Sequence, residues 1–483
     1  MASPAVVWFR RDLRLADNPA LCAAVASGRP VCAVYILEEG GETPWPAGGA
    51  ARWWLSRNLE ALQASLKGAG ANLVVRRGDP AAIIPALVAE SGAAEVHWNR
   101  CYEPAAILRD KAIKAALQDA GIVATSHNAS LLFEPWTIAT KAGGPFRVFT
   151  PYWRACLAAR PPERPLPAPR GIKGAPVAGG CAITDLGLEP RAPDWAGGMA
   201  GTWEPGEDGA AELLRLFLRN DVQLYDKFRD IPGLSATSSL SPYLQVGALG
   251  PRQVWHAALA NGARPDIGDG PGVFLKELIW REFSYHLLYH VPGMTDANLD
   301  GAFDAMPWRD DGEGLRRWQR GRTGYPIVDA GMRQLWTTGW MHNRVRMVVA
   351  SFLTKHLLID WRLGAAWFWD TLVDADLASN SASWQWVAGC GADAAPFFRI
   401  FNPVAQGEKF DAGGDYVRRW VPELAHLPDK VLHKPWTADA QTLERAGIRL
   451  GHDYPGPVVD HAAARARALA TWQTHIRKAP PEE

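Results

Sequence analysis

Within the first 130 residues, short apolar runs at 6–9, 31–37, 73–76, 95–98 and 122–125 alternate with stretches of helical spacing at 19–27, 51–67, 80–91 and 103–120. Runs this short fit strands, and the longer stretches between them fit helices. Parallel strands need such a crossover, because no tight turn can return the chain to the same end of a sheet. The alternation therefore predicts an α/β N-terminal domain, a five-stranded parallel, doubly wound sheet. Ligands of such sheets collect beyond the carboxyl ends of the strands. The first strand runs into FRRDLRL with no G-x-G-x-x-G, so a dinucleotide is not expected at that crossover.

From 160 to 209 proline and glycine dominate, as in RPPERPLPAPRG and GGMAGTWEPGEDG, which reads as a linker crossing a surface. Beyond it the apolar spacing becomes three and four, at 211–220, 251–260, 273–289, 327–337, 343–356 and 361–372, which predicts a mainly helical second domain. The expected division is an α/β domain over 1–130, a linker over 131–208 and a helical domain over 209–475. A chain of 483 residues is long enough for two or three cores. Its 51 Lys and Arg balance 51 Asp and Glu, so a nucleic acid could be held only by a local basic patch. No apolar stretch approaches 18 residues and the N-terminus lacks a basic-then-apolar leader pattern, so neither a membrane span nor a secretion signal is expected. Cys22, Cys32, Cys101, Cys156, Cys181 and Cys390 are scattered without metal-ligand spacing. They fit a reduced cytoplasm and leave no metal site to expect.

Chemistry-bearing residues gather in the helical half. SATSSLSPY offers five hydroxyls between Ser235 and Ser241 ahead of Pro242 and Tyr243. Hydroxyls and free amides at a helix start suit a pyrophosphate, although caps and turns are their commoner use. In KELIWREF, Glu277, Trp280 and Arg281 stand at i, i+3 and i+4 and share a helix face. GWMHNRVRM places Trp340, Asn343, Arg344 and Met347 on neighbouring turns, and Asp374, Asp376 and Asn380 precede Trp384 and Trp386 in DADLASNSASWQW. The chain holds 23 tryptophans, an excess that core packing explains only in part, because each buried indole N–H needs a partner.

In this order and spacing the motifs resemble the photolyase/cryptochrome flavoproteins. The likeness runs from VVWFRRDLRLADNPAL to FNPVAQGEKFD and is densest in TGYPIVDAGMRQLWTTGWMHNRVRMVVASFLTKHLLIDW. The resemblance implies an α/β N-terminal domain, a long linker and a C-terminal all-α domain enclosing FAD in a U shape. Carried over residue by residue, it assigns Tyr225, Thr237, Ser238, Ser239, Leu240 and Ser241 to the flavin phosphates and ribityl chain. Glu277 and Arg281 belong to the helix that walls the cavity; Trp340, Asn343 and Arg346 approach the ring system. Asp374 is expected to pair with Arg346, Asp376 to accept from the adenine side or the ribityl hydroxyls, and Asn380 to face flavin N5.

The same resemblance points to light-driven repair of cyclobutane pyrimidine dimers, a carbon–carbon lyase reaction (deoxyribodipyrimidine photo-lyase), in a bacterial class I type. Excited reduced FAD would pass an electron to a dimer flipped out of double- or single-stranded DNA, since the lesion cannot reach the flavin inside a duplex. Asn343 and Met347 match the lesion-cavity pattern of dimer enzymes, where enzymes for the six-four photoproduct carry histidines. Glu277, Asn380 and Met347 are the expected catalytic set, and Trp384, Trp361 and Trp308 the expected electron-transfer chain, with Trp308 at its exposed end. DNA is expected at Arg229, Trp280, Asn343, Arg344, Trp386, Arg399 and Gln406, Trp280 and Trp386 clamping the dimer. Arg316, Arg317, Arg320 and Arg322 could add phosphate contacts or form a solvated face. A cryptochrome-type photoreceptor without repair is the alternative; the chain ends about seventy residues after the last flavin motif, where a long signalling tail would follow. A second, antenna pigment is expected in the N-terminal domain, a folate or a deazaflavin. Ala105 and Ala106 depart from one folate pattern, and Trp45, Trp53 and Trp54 could either stack on a pigment or pack. A cytoplasmic monomer is expected.

Overall fold

The computed structural model describes residues 2–39, 45–177, 179–394, 397 and 399–477. Among them the chain divides into two compact units that alternate along the sequence. The first comprises Met1–Asp226, Ser238–Pro292 and Val373–Ala378; the second Lys227–Thr237, Gly293–Leu372 and Ser379–Glu483.

The first unit is built on β1 (Ala5–Phe9), β2 (Val31–Glu38), β3 (Leu73–Gly78), β4 (Glu95–Asn99) and β5 (Val123–His127), in the order β3-β2-β1-β4-β5. All four pairings are parallel, as the alternation predicts. The crossovers are α1 (Pro19–Ala26), α2 (Gly49–Ala69), α3 (Pro80–Ser91) and α4 (Pro104–Asp119). Proline opens α1, α3 and α4, where its missing N–H costs nothing and its fixed φ suits the first turn. Asn18 and Asp79 cap α1 and α3 through their side chains. One face of the sheet buries Val6, Trp8, Val34, Val96 and Trp98 against Ile84, Leu87, Ile113 and Leu117.

The strand order reverses at β1, which places the expected ligand crevice between the ends of β1 and β4. The protein's own polar groups fill that position. Asn99 donates to Asp12 and, at 2.8 Å, to Asn18; Arg10 pairs with Asp110 at 2.6 Å and donates to the Asn99 carbonyl. Trp53 and Trp54, offered as pigment platforms, are interior residues at 2% and 0% exposure. They stack on each other, and the Trp54 N–H donates to the Pro242 carbonyl at 3.0 Å. Their packing role is the one realised.

The proline-rich stretch is held more closely than a surface linker. Val31 donates to the Lys173 carbonyl at 2.7 Å, Ala175 to Val31 at 2.8 Å and Cys181 to Val75 at 2.9 Å, which lays the chain beside β2 and β3. The long helix Gly270–His290 completes this unit; it starts three residues before the predicted stretch because Asp269 caps it.

The second unit is helical. Its main helices are Gly312–Gln319, Pro326–Thr338, Asn343–Ser351, Trp361–Thr371 and His461–His475, with most of Leu377–Ala388. The stretch predicted as one helix over 343–356 widens to a π-helical turn at Phe352–His356. Gln385, fully buried, donates to the carbonyls of Met294 and Ala297 at 2.7 and 3.0 Å and accepts from the Leu299 amide at 2.8 Å. That one side chain fixes the loop 294–299 to the helix carrying Trp384 and Trp386.

Candidate flavin and electron-transfer residues

In the first unit, the face carrying Glu277, Trp280 and Arg281 on Gly270–His290 is only half-buried, while the rest of that helix is largely interior. Trp280 lies flat on Phe149, ring centroids 3.6 Å apart at 5°. A braced indole is a rigid wall, because one face is already filled. Arg281 donates to the Ser130 carbonyl at 2.8 Å and lies 4.9 Å from the centre of the Tyr285 ring. The Tyr285 hydroxyl donates to Asp376 in a very short contact. Burial opposes the Arg281 charge, yet Tyr285, Asp376 and Glu282 together hold its pKa above the ordinary value. Arg281 and Asp376, two residues expected at the flavin, thus share one buried polar cluster.

Tyr285 and Glu282 were not foreseen. Tyr285 extends the 277–281 stripe by one further turn, and that periodic signal could have found it. Glu282 lies at 2% exposure and accepts from the amides of Leu132 and Phe133 at 2.9 and 3.1 Å. Burial pushes its carboxyl up to about 7 against those donors and Arg281.

The segment Ser235–Ser241 leads into the short helix Ser241–Val246. Ser239 is left-handed at φ 51, so the chain turns sharply within the hydroxyl cluster. Gly247 ends the helix at φ 76, and a Cβ there would fall 2.0 Å from the Arg11 carbonyl. Only glycine permits that approach, which anchors the hydroxyl-rich segment to the loop after β1. Tyr225, buried, meets Phe217 and Phe274 edge-on. Asp374 and Asp376 are each 8% exposed.

In the second unit His342 caps the helix Asn343–Ser351 by accepting from the Arg344 amide at 3.2 Å. Trp340 therefore precedes the helix instead of sharing its turns, and the Arg346 guanidinium lies 5.8 Å from its ring centre. Burial lowers His342 to about 4. A neutral cap of this kind has no imidazolium proton to donate at neutral pH. Asn343 and Met347 touch at 4.0 Å, amide nitrogen to sulfur. Arg344 pairs with Asp230 at 2.7 Å and lies over Phe410, so its charge is partly neutralised. Asn380, inside Leu377–Ala388 and not a cap, donates to the Ala365 carbonyl at 3.0 Å, which fixes its amide plane. The buried Gln406 carbonyl oxygen has no hydrogen-bond partner among the described residues. Arg229 is half-buried and Arg399 exposed. Residues 395, 396 and 398 of the expected motif lie outside the described residues.

Of the three expected electron carriers, Trp384 and Trp361 are buried at 2% and 0%, and Trp308 is half-buried and so the most open of the three. Trp384 meets Phe368 and Trp318 edge-on at 5.0 and 6.2 Å. The Trp361 N–H donates to Asn298 at 2.9 Å, and Asn298 in turn donates to Asp304 at 2.7 Å. That relay leads from a buried indole to an exposed carboxylate; a contact so distant in sequence leaves no local signal. The Arg362 guanidinium, 4.8 Å from the Trp361 ring centre, opposes a positive hole on that ring.

Each unit by itself offers donors of kinds that suit FAD: in the first, hydroxyls at a sharp turn for phosphates, buried carboxylates for ribose and ribityl hydroxyls and the Arg281 guanidinium for anionic parts; in the second, the Arg346 guanidinium and the fixed Asn380 amide. A parallel α/β unit and a helical unit carrying donors of these kinds are what a flavin-binding protein of two parts offers. Residues 5–170 match the family model for DNA photolyase, and 274–474 that for the FAD binding domain of DNA photolyase. The deoxyribodipyrimidine photo-lyase of Agrobacterium fabrum is 51% identical over 97% of this chain and 98% of its own. Cryptochrome-1 of Arabidopsis thaliana is 40% identical over 96% of this chain and 69% of its own. A solved bacterial class III photolyase from Agrobacterium tumefaciens superposes with a TM-score of 0.94 at 51% identity, covering 98% of both chains. The chain belongs to the DNA photolyase family. The expected class I type is not supported, since the solved structure of 51% identity is a class III photolyase.

Proposed function

We propose that this protein repairs cyclobutane pyrimidine dimers in DNA by blue or near-ultraviolet light, as a photo-lyase of class III type. The observation that carries the reading is Trp280, held flat by Phe149 and one helical turn beyond Glu277 on the same face. A rigid aromatic wall beside a carboxyl is what a flipped-out pair of linked pyrimidines needs. Trp280 and Trp386 stack on the dimer, and Glu277 hydrogen-bonds the pyrimidine edge. Such a contact in a water-poor site is worth about 2–4 kcal/mol. Asn343 and Met347 close the lesion cavity, and Arg229, Arg344, Arg399 and Gln406 position the strand through its phosphates.

Tyr225, Thr237, Ser238, Ser239, Leu240, Ser241, Arg281, Trp340, Asn343, Arg346, Asp374, Asp376 and Asn380 hold FAD, whose contribution is light absorption and one-electron transfer. Trp384, Trp361 and Trp308 carry electrons inward from solvent to restore its reduced state. The antenna pigment, a folate or a deazaflavin, belongs to the first unit, and the protein acts as a monomer on double- or single-stranded DNA. The test is loss of dimers from ultraviolet-irradiated oligothymidine under blue light, with the cofactor reduced beforehand and a dark control. Equal dimer content in lit and dark samples would leave the receptor reading, which the 40% identity to a plant cryptochrome supports.

A further inference from the structure

The arginines of 316–322 line a cavity of about 310 Å³ in the second unit. Its walls are Glu313, Arg316, Arg317, Arg320 and Arg322 on one side and the turn bearing His452 on the other. Four arginines and one glutamate stand at the lining, which leaves three positive charges in excess there. Arg316 takes that carboxylate, pairing with Glu313 at 2.9 Å in an exposed and therefore weak bridge. Arg317 is fixed differently: it donates to the carbonyls of Arg322 and Gly456 at 3.1 and 3.2 Å. Neutral acceptors hold the group in place without cancelling its charge. Arg320 and Arg322 are exposed and make no ion pair among the described residues. The nearby Asp453 is engaged by Arg449 and His452, at 3.2 and 2.7 Å.

We propose that this cavity binds a short polyphosphate, two or three linked phosphoryl groups, as inorganic triphosphate or as the phosphate chain of a nucleotide. Linked phosphates concentrate several negative charges in a small volume, whereas each backbone phosphate of DNA carries one. The arginine fork matches phosphoryl oxygens in pairs, so several forks converging on one cavity select a compact multiply charged anion over a single phosphate or a sulfate. Of the lining residues only His452 carries a ring, and that ring is tied to Asp453 at 2.7 Å, so no Trp, Tyr or Phe is at the lining to stack a base. Recognition therefore stops at the phosphates.

The test is calorimetric titration of the FAD-loaded protein at low salt with sodium triphosphate, with sodium sulfate and ATP in parallel. Triphosphate should bind one to one, at least about tenfold tighter than sulfate and within about threefold of ATP, each lost charged contact costing about tenfold. Arg320→Ala with Arg322→Ala should weaken it a hundredfold or more. Arg322→Lys should weaken it less than Arg322→Ala, and Arg445→Ala, at an exposed arginine outside the cavity, not at all. Unchanged melting of each variant separates site loss from misfolding. The proposal is overturned by absence of binding, by binding that survives the double variant, or by a clear preference for ATP. It is equally overturned if undamaged single-stranded DNA displaces triphosphate at lower concentration, which would make the arginines a backbone contact instead.

Discussion

Single side chains decide which of the two expected electron movements each residue serves. Glu277 is assigned to the lesion, so Glu277→Ala should leave the bound flavin's absorption spectrum unchanged and lower repair quantum yield several-fold. Unchanged yield would remove the carboxyl from the reaction. Trp308 is assigned to the other movement. Trp308→Phe keeps the aromatic bulk but makes oxidation of that ring too costly, so light-driven reduction of the oxidised cofactor should collapse. Repair by chemically pre-reduced protein should stay near normal. Loss of both together would mark Trp308 as structural; loss of neither would mean that electrons enter through another ring. The structure adds a feature that motifs cannot carry. Trp361 donates to Asn298, a residue 63 positions away, and the partner of a buried indole is invisible until the fold brings it there. Tyr285 differs, since it continues a stripe already read on one helix.

At the scale of elements, the helix Trp361–Thr371 owes its place to a glycine. A Cβ on Gly364 would stand 2.1 and 2.4 Å from two ring atoms of Trp384 and 2.7 Å from Leu353. Gly364→Ala should therefore push the indole out of register and cost about 1–3 kcal/mol of stability. The chemical-denaturation midpoint should fall, and photoreduction with it, while a Gly293→Ala control, open around its Cβ, should change little. Elements of this kind were legible wherever period and capping agree. The helices Pro80–Ser91 and Pro251–Ala260 fall where apolar spacing and an opening proline place them. The first third could be read as a parallel sheet because its central strands β2, β1 and β4 are buried on both faces and its strands are separated by crossovers long enough for helices. The π-helical turn at Phe352–His356 was not legible, because its helical spacing continues unbroken through it. Nor was the docking of the proline-rich stretch beside β2 and β3. Its bonds are backbone to backbone, and composition records only that no regular element forms.

For the molecule as a whole, net charge is zero, and buried titratable groups control the response to pH. Burial lowers His127, His286 and His342 to about 4 and His356 to about 3, from an ordinary value of 6.5. Each is neutral in the folded protein and takes up a proton more readily once unfolded. The stability they provide is complete above about 6.5 and is lost as pH falls toward 4. Glu282 acts in the opposite sense. Its carboxyl, raised from 4.5 to about 7, favours the protonated folded form, so its contribution declines as pH rises between those values. Glu134, Glu207, Asp329 and Asp411 are raised in the same sense and His97 and His461 lowered, but among the groups displaced furthest four histidines stand against one carboxyl, so thermal stability should drop from pH 6.5 to pH 4.5. Differential scanning calorimetry across that range checks the sign. Glu282→Gln should make the acid loss steeper, because it removes the opposing group displaced furthest while its amide oxygen still accepts from Leu132 and Phe133. His356→Phe, which keeps the ring stacked on Phe352, should make the loss shallower. A melting temperature that rises on acidification would mean that these histidines are protonated in the folded chain, and the neutral pairing of His356 with His461 at 2.8 Å could not then stand.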